Sequence, residues 1–155
     1  MSTPQERLAA RGLVLPAVVA PLAAYVPAVR TGRYVYTSGQ LPMADGKLLA
    51  TGKVGAEISP EEAAGLAGVC ALNALAAVAS VAGGLGSIVR IVKMTGFVAS
   101  APGFTGQPGV LNGASEMLTD VLDEAGRHAR SAVGVAELPL GAPVEIELIA
   151  EVSES

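Results

Sequence analysis

The sequence is poor in the side chains on which catalytic and metal sites most often depend. Its 155 residues include one cysteine, Cys70, one histidine, His128, and no tryptophan. A single chain therefore cannot assemble a histidine-rich metal site, and a Cys–His pair would lack a further partner. No glycine-rich loop ends in the Lys-Ser/Thr pair of a phosphate-binding loop. We expect neither a zinc enzyme nor a cofactor.

Charged side chains are also scarce. They make up 15% of the chain, where about 25% is usual, and hydrophobic residues make up 51%. Apolar surface is therefore left over after folding, and we expect a homo-oligomer that covers it. The net charge is -4, and no run of Lys or Arg could follow a phosphate backbone. Nucleic acid is not an expected partner.

Two apolar stretches raise the question of a signal sequence or a membrane segment. Residues 12–29 contain three prolines and follow a leader that is not basic, which disfavours a signal sequence. Residues 63–89 are long enough to span a bilayer but are rich in Ala and Gly, which favours a helix packed in the interior. Cys70 lies there without a second cysteine and indicates a buried thiol. We expect a cytoplasmic protein without membrane contact.

Hydrophobic periodicity and turn residues predict a single domain over residues 1–155. The predicted elements are a helix at Thr3–Arg11, strands at Tyr25–Arg30 and Arg33–Ser38, a helix from Pro60 to about Ala82, a strand at Ile88–Ala99, a helix at about Val110–Ala125, and strands at Ala129–Leu138 and Pro143–Val152. We expect hairpin pairs at both ends of the chain. The whole is an α+β fold, with a mixed sheet and the two long helices on one face.

The first long helix carries specific boundary signals. Ser59 precedes Pro60, and Glu62 follows the cap by three residues, as in a capping box. Gly83–Gly84 would stop this helix. A further turn is expected at Asp45–Gly46.

The last predicted strand alternates between apolar and polar residues. Its apolar face carries Val144, Ile146, Leu148, Ala150 and Val152. Glu145, Glu147 and Glu151 share the other face with Ile149. The apolar face is expected to pack against the helices. The second face is only partly polar, which again indicates a surface covered by another subunit.

Arg130 opens a strand whose neighbours on the same face are small. Ala132, Gly134 and Ala136 follow it there, which leaves room beside the guanidinium for a ligand. An arginine can hold a carboxylate through two parallel hydrogen bonds, whereas an ion pair with a nearby glutamate explains the residue equally well. His128 is better explained as a partner of the helix dipole or a surface residue than as a catalyst.

Four segments form a specific combination. They are Tyr25-Val26-Pro27-Ala28-Val29, Thr37-Ser38-Gly39-Gln40-Leu41-Pro42, Asn112-Gly113-Ala114, and a run from Ala129-Arg130-Ser131-Ala132-Val133 through Leu138-Pro139 to Val144-Glu145-Ile146-Glu147. In this order and spacing, over residues 20–152, the chain resembles the reactive intermediate deaminase (Rid, or YjgF) family.

The resemblance implies a chorismate-mutase-like fold that assembles as a homotrimer, with ligand sites in clefts between subunits. It implies hydrolysis of reactive enamines and imines, such as 2-aminoacrylate and 2-iminobutanoate, to 2-keto acids and ammonia without a cofactor. Carried over by residue, Arg130 would bind the substrate carboxylate, and Glu145 would position or activate the attacking water. The residues that would line the cleft are Tyr25, Ser38, Gly39 and Asn112.

Two features depart from the family pattern. Many members carry a cysteine two residues after the arginine, where this chain has Ala132, so any role of that thiol is lost. By the resemblance, Ala132 would line the substrate site. Met1–Pro16 extends the short amino-terminal arm of the family. This extension could cover the cleft, change the substrate or pack on the outside of the protein. We favour outer packing, since Leu8 and Leu13 provide apolar contacts.

Two other functions stay open. The same cleft could bind a small carboxylate such as a 2-keto acid without catalysis, as a binding or regulatory protein. Members of the family are also labelled as endoribonucleases or translation inhibitors. A net charge of -4, two Phe and three Tyr offer little for phosphate contacts or base stacking, which disfavours this second alternative.

Overall fold

The computed structural model describes residues 1–154, and every predicted helix and strand has a counterpart in that range. The helices are α1 (Pro4–Ala10), α2 (Pro60–Ala82) and α3 (Gln107–Leu122), with short 3-10 turns at Leu85–Ser87, Asp123–Gly126 and Pro139–Gly141. The strands are β1 (Ala28–Thr31), β2 (Tyr34–Thr37), β3 (Met43–Ala44), β4 (Lys47–Leu48), β5 (Ile88–Ala99), β6 (Ala129–Val135) and β7 (Val144–Val152).

Five strands form one mixed sheet in the order β1-β2-β7-β5-β6, and β3 pairs with β4 in a separate ribbon. β6 runs parallel to β5, and the other neighbours are antiparallel. Residues of β7 alternate between buried and half-buried, and the buried ones, such as Ile146 and Leu148, join α2 and α3 in the core. The predicted α+β sheet with both long helices on one face is therefore confirmed. We call the other face the uncovered face.

The predicted hairpin between the last two strands is wrong. β5, α3 and β6 form a β-α-β unit, in which the helix crosses over and β6 lies parallel to β5. β7 occupies the other side of β5 and pairs with β2 as well. Alternation along β7 indicates which of its faces is buried but contains no information about which strands flank it.

The first hairpin and the helix ends follow the predictions with small shifts. β1 starts at Ala28, after Pro27, which has no N–H to donate to a strand neighbour. Ser59 Oγ accepts from the backbone N–H of Glu62, so one half of the predicted capping box is present. α3 begins at Gln107, three residues before the predicted start, because Pro108 is accommodated in its first turn.

Helix α2 is the apolar stretch for which a membrane segment was considered. By length and composition it could cross a membrane, but 72% of its most apolar window is buried inside the protein. Its buried residues include Cys70, and burial raises the pKa of that thiol well above its ordinary value. The structure therefore places α2 as a packed interior helix, as predicted.

The amino-terminal extension packs on α3. Leu8 of α1 is buried, and Arg7 Nε donates to the carbonyl oxygen of Val121 at 2.8 Å. Arg11 forms an ion pair with Asp120 at 2.7 Å. The expected outer packing of the extension is confirmed for α1. The chain then continues as an irregular segment over residues 12–27, which we call the arm.

Candidate functional site

Arg130 lies on the helix side of the sheet. Its position in β6 is in register with Met94 of β5, which is in register with Leu148 of β7, and the last two are buried under the helices. The guanidinium Nη1 donates to Asn112 Oδ1 at 2.9 Å and to Ser115 Oγ at 3.2 Å. Both partners are on α3, so this helix fixes the direction of the guanidinium.

The remaining donors of Arg130 are available to a ligand. Within residues 1–154 the structure assigns hydrogen bonds to Nη1 alone and no ion pair to the side chain. The glutamate ion pair considered from the sequence is therefore absent from this part of the chain. Nε and Nη2 together form the edge of the guanidinium that matches the two oxygens of a carboxylate.

Ser115, which accepts a hydrogen bond from Arg130, is itself in contact with His128. His128 Nδ1 lies 2.6 Å from the carbonyl oxygen of Gly126, and its Nε2 lies 2.9 Å from Ser115 Oγ. A carbonyl can only accept, so Nδ1 carries the hydrogen. A neutral ring then accepts the Ser115 hydroxyl at Nε2, and Ser115 accepts from Arg130. His128 is half-buried and its Nδ1 contacts the last carbonyl of the 3-10 turn Asp123–Gly126, which agrees with its prediction as a partner of a helix C-terminus. Its contact with Ser115 was not predicted.

The residues beside Arg130 on its face are small for different reasons. Ala132 is half-buried and packs against the core. A Cβ at Gly134 would lie 2.7 Å from Gln107 Nε2 and 3.0 Å from Ser100 Oγ, so glycine is needed for these side chains to lie over β6. Ala136 follows the last residue of β6 and is not part of the strand. The space predicted beside the arginine is thus bounded by Gln107.

Glu145 lies on the uncovered face. Its position in β7 is in register with Phe97 of β5, which is in register with Val133 of β6. The carboxyl group of Glu145 lies directly over Gly39, where a Cβ would be 2.7 Å from Glu145 Cδ. Any larger residue at position 39 would displace the carboxylate. This contact explains why a glycine stands in the Ser-Gly-Gln-Leu-Pro segment.

Glu145, Gly39 and Tyr25 line one narrow cleft, which we call the Glu145 cleft. Its other lining residues are Val19, Ala20, Pro21, Leu22, Pro27, Gln40, Leu41, Met43 and Pro139. Ser38 Oγ donates to the carbonyl oxygen of Val26 at 2.6 Å and so fixes the segment that carries Tyr25. The Tyr25 hydroxyl accepts from the backbone N–H of Leu22 at 3.3 Å. The arm therefore forms one wall of the cleft.

The surroundings of Glu145 favour the protonated form of its carboxyl group. Burial raises the pKa of Glu145, and the nearby charge of Glu147 raises it further. Glu147 is two residues along β7 and thus on the same face. A base with a raised pKa exchanges protons closer to neutral pH than an exposed glutamate does.

The seven predicted site residues fall into two groups on opposite faces of the sheet. Arg130, Ala132 and Asn112 are on the helix side at the β6 edge. Tyr25, Gly39 and Glu145 line the Glu145 cleft, and Ser38 lies next to it, bonded to Val26. Strand β5 separates β7 from β6. One chain therefore does not bring Arg130 and Glu145 together around one small ligand.

Sequence reasoning missed several residues near the two groups. Ser115 follows Asn112 by three positions on α3, so helical spacing could have placed it on the same side. His128 precedes Arg130 by two positions, which is a signal that they share a side of the chain. Gln40 and Pro139 lie in two of the segments that carry the family resemblance, but no pattern assigned them to the cleft, because their place there depends on contacts distant in sequence.

Comparison with known proteins defines first a fold and then a family. A protein of unknown function from Agrobacterium tumefaciens is 45% identical, with 97% of this chain and 94% of that chain covered and a TM-score of 0.90. Protein TCP17 of Trypanosoma cruzi is 43% identical over 92% of this chain and 89% of its own length. RidA from an Antarctic Psychrobacter is 31% identical, with 87% and 94% of the chains covered and a TM-score of 0.59.

The fold is the chorismate-mutase-like α+β architecture. The family described as "YjgF/chorismate_mutase-like, putative endoribonuclease" matches residues 5–152. The chain belongs to this YjgF/RidA family, as its four sequence segments predicted.

Proposed function

We propose that this protein is a hydrolytic deaminase of reactive enamine and imine intermediates, of the 2-aminoacrylate or 2-iminobutanoate type. The observation that carries the proposal is Arg130, which α3 holds through Nη1 while Nε and Nη2 stay available for a carboxylate. Membership of the YjgF/RidA family, with a relative named RidA, supports the same activity.

The proposal includes assembly into a homotrimer with shared sites. Arg130 and Glu145 are on opposite faces within one chain, so a ligand that contacts both needs a second copy. The uncovered face also exposes apolar side chains, including Val29, Tyr36 and Val133, each more than two fifths exposed. A second copy that covers this face would bury them and bring its own β6 edge to the Glu145 cleft.

The reaction needs one water for each imine. Arg130 binds the substrate carboxylate and orients the adjacent C=N carbon, while Glu145 of another copy holds the water and takes its proton as the new C–O bond forms. The proton then passes to the nitrogen of this carbinolamine. The C–N bond breaks as the hydroxyl group becomes the C=O group and gives its own proton to the Glu145 carboxylate, and ammonia leaves. The products are a 2-keto acid and ammonia. An enamine such as 2-aminoacrylate first tautomerises to its imine.

The residues available suit this chemistry. A protonated imine carbon is already electrophilic, so orientation and one general base account for a useful acceleration. Burial and the charge of Glu147 raise the pKa of Glu145, which brings it closer to the pH at which a general base is effective.

A coupled assay tests the proposal. A pyridoxal-phosphate dehydratase supplies 2-aminoacrylate from serine, and the rate of its loss is measured with and without the protein. Arg130→Ala is expected to lower kcat/KM by at least about tenfold, since a hydrogen bond to a charged group contributes about 1.5–3 kcal/mol. Arg127→Ala is the matched control. This arginine is exposed and forms a long ion pair of 3.8 Å with Glu124, three residues earlier in the chain.

Full activity of Arg130→Ala would contradict the site assignment. If pyruvate or 2-ketobutyrate stabilises the fold but no imine is turned over, the protein is a non-catalytic binding protein. Thermal unfolding of both variants shows whether they are folded.

A further inference from the structure

A second cavity lies beside the Glu145 cleft, and the proposed reaction does not use it. The arm runs beside α2 and the β3–β4 ribbon and borders an open cavity of about 580 Å³, which we call the arm cavity. Its apolar walls include Val14 and Val18 of the arm and Val69 and Leu72 of α2. Small-molecule sites have volumes of about 300–1,000 Å³ and mostly apolar walls, so the arm cavity has the size and character of one.

The arm cavity is on the helix side of the sheet, away from the uncovered face. It shares Val19–Leu22 and Met43 with the Glu145 cleft, so the same part of the arm forms a wall of both. α2 contributes Val69, Leu72 and Asn73 to the arm cavity and contributes no residue to the lining of the Glu145 cleft. The arm cavity therefore adjoins the Glu145 cleft along the arm and differs from it in its wall on α2.

Two polar side chains, Asn73 and Asp45, line the arm cavity and offer it hydrogen-bond acceptors. Asn73 is 2% exposed, and its Nδ2 donates to the carbonyl oxygens of Leu41 at 3.1 Å and Met43 at 3.0 Å. Its Oδ1 accepts no hydrogen bond from residues 1–154 in the structure and is left for a ligand. Asp45, in the turn between β3 and β4, adds a negative charge to the lining.

We propose that the arm cavity binds an apolar small molecule with a hydrogen-bond donor, such as an alcohol, an amine or an amide. The apolar body packs between the arm and α2, and the donor reaches Asn73 Oδ1. A carboxylate has no donor and is repelled by Asp45, so the ligand class differs from that of the 2-imino acid substrate.

Fluorescence titration of the full-length protein with N-phenyl-1-naphthylamine tests this assignment. This neutral probe has two aromatic ring systems and one N–H donor. Val69→Trp fills the cavity and is expected to weaken probe binding by about tenfold or more, which corresponds to about 1.4 kcal/mol. Val81→Trp is the matched control, since this valine is on the same helix, is 37% exposed and does not line the cavity.

A second variant and a competition experiment cover the case in which Val69→Trp fails to fold. Val18→Trp changes the arm, where the valine is already 37% exposed, and is expected to weaken the probe as well. Linear alcohols are expected to displace the probe at lower concentrations than carboxylic acids of equal chain length at neutral pH. Equal probe affinity in wild type and both cavity variants, no binding to wild type, or stronger competition by the acids would overturn the assignment. Imine hydrolysis is measured separately, so failure of either proposal leaves the other testable.

Discussion

At the scale of single residues, the environment of Glu145 is the feature with the clearest chemical consequence. The side chain is half-buried over Gly39, and the next residue on its face, Glu147, is also acidic. Both burial and the charge of Glu147 favour the protonated form, so the pKa of Glu145 is raised from its ordinary 4.5. A general base must be ionised, and activity is therefore lost as the pH falls through this raised pKa.

Glu147→Gln is expected to shift the acid limb of the kcat/KM profile to lower pH. The substitution removes the charge that contributes to the raised pKa of Glu145 but leaves burial, which is the larger cause. The limb should therefore move down and stay above the ordinary value of 4.5. The measurement is kcat/KM for an imine over an acidic to neutral pH series.

Glu151→Gln is the control for this shift. Glu151 is on the same strand and face but is paired with Arg33 at 3.0 Å. Its variant should keep the wild-type acid limb. An unmoved limb in Glu147→Gln, or one that moves to higher pH, would mean that Glu145 is not the base.

At the scale of secondary structure elements, the close packing of α2 against α3 determines the positions of Asn112 and Ser115. Gly113 faces α2, and a Cβ there would meet the backbone of Ala64, with 2.6 Å to its carbonyl carbon and a shorter approach to its carbonyl oxygen. Backbone atoms of a packed helix cannot move aside as the end of a side chain can. The glycine in the Asn-Gly-Ala segment thus sets the distance between the two helices.

Gly113→Ala is expected to destabilise the protein by about 2 kcal/mol or more, because the added methyl group forces α3 away from α2. The free energy of unfolding from urea titration measures the effect. Gly65→Ala is the matched control on α2, since a Cβ there meets nothing within 4 Å. It should stabilise by about 0.5–1 kcal/mol, the usual gain of alanine over glycine inside a helix. Equal stability of Gly113→Ala and wild type would show that the helices are not in tight contact.

At the scale of the whole molecule, the proposed site depends on a second copy of the chain. Arg130 and Glu145 are on opposite faces of one sheet, so each copy would contribute one half to two different sites. A closed ring of three copies satisfies every half-site. A site shared between copies predicts a result that a site within one chain does not.

Mixing two inactive variants is expected to restore activity. In a random mixture of Arg130→Ala and Glu145→Gln chains, about one quarter of the shared sites contain both intact residues. Co-refolded or co-expressed mixtures of equal amounts should therefore recover about that fraction of the wild-type rate, while Arg130→Ala alone keeps about one tenth or less. Light scattering provides the control that all samples have the mass of a trimer. A mixture as inactive as its components would exclude a shared site.

Local pattern was enough to predict the three helices, the five strands of the main sheet and the small residues beside Arg130, whereas β3 and β4 were predicted only as the turn at Asp45–Gly46. The start of α2 at Ser59-Pro60 depends on helix capping, and β5 depends on the preference of β-branched residues for strands. Both are preferences of residues close together in the sequence. The four family segments added the identity of the fold. These features needed no knowledge of distant contacts.

The tertiary structure alone decided how the predicted residues are grouped. The place of β7 between β2 and β5, the support of Arg130 by Ser115 and His128, and the position of the Glu145 carboxylate over Gly39 all join residues far apart in sequence. Alternation predicts that Arg130 and Glu145 each point to one side of a strand. Only the pairing of the strands shows that the two sides are opposite, because strand order and register are set by contacts that no local pattern contains.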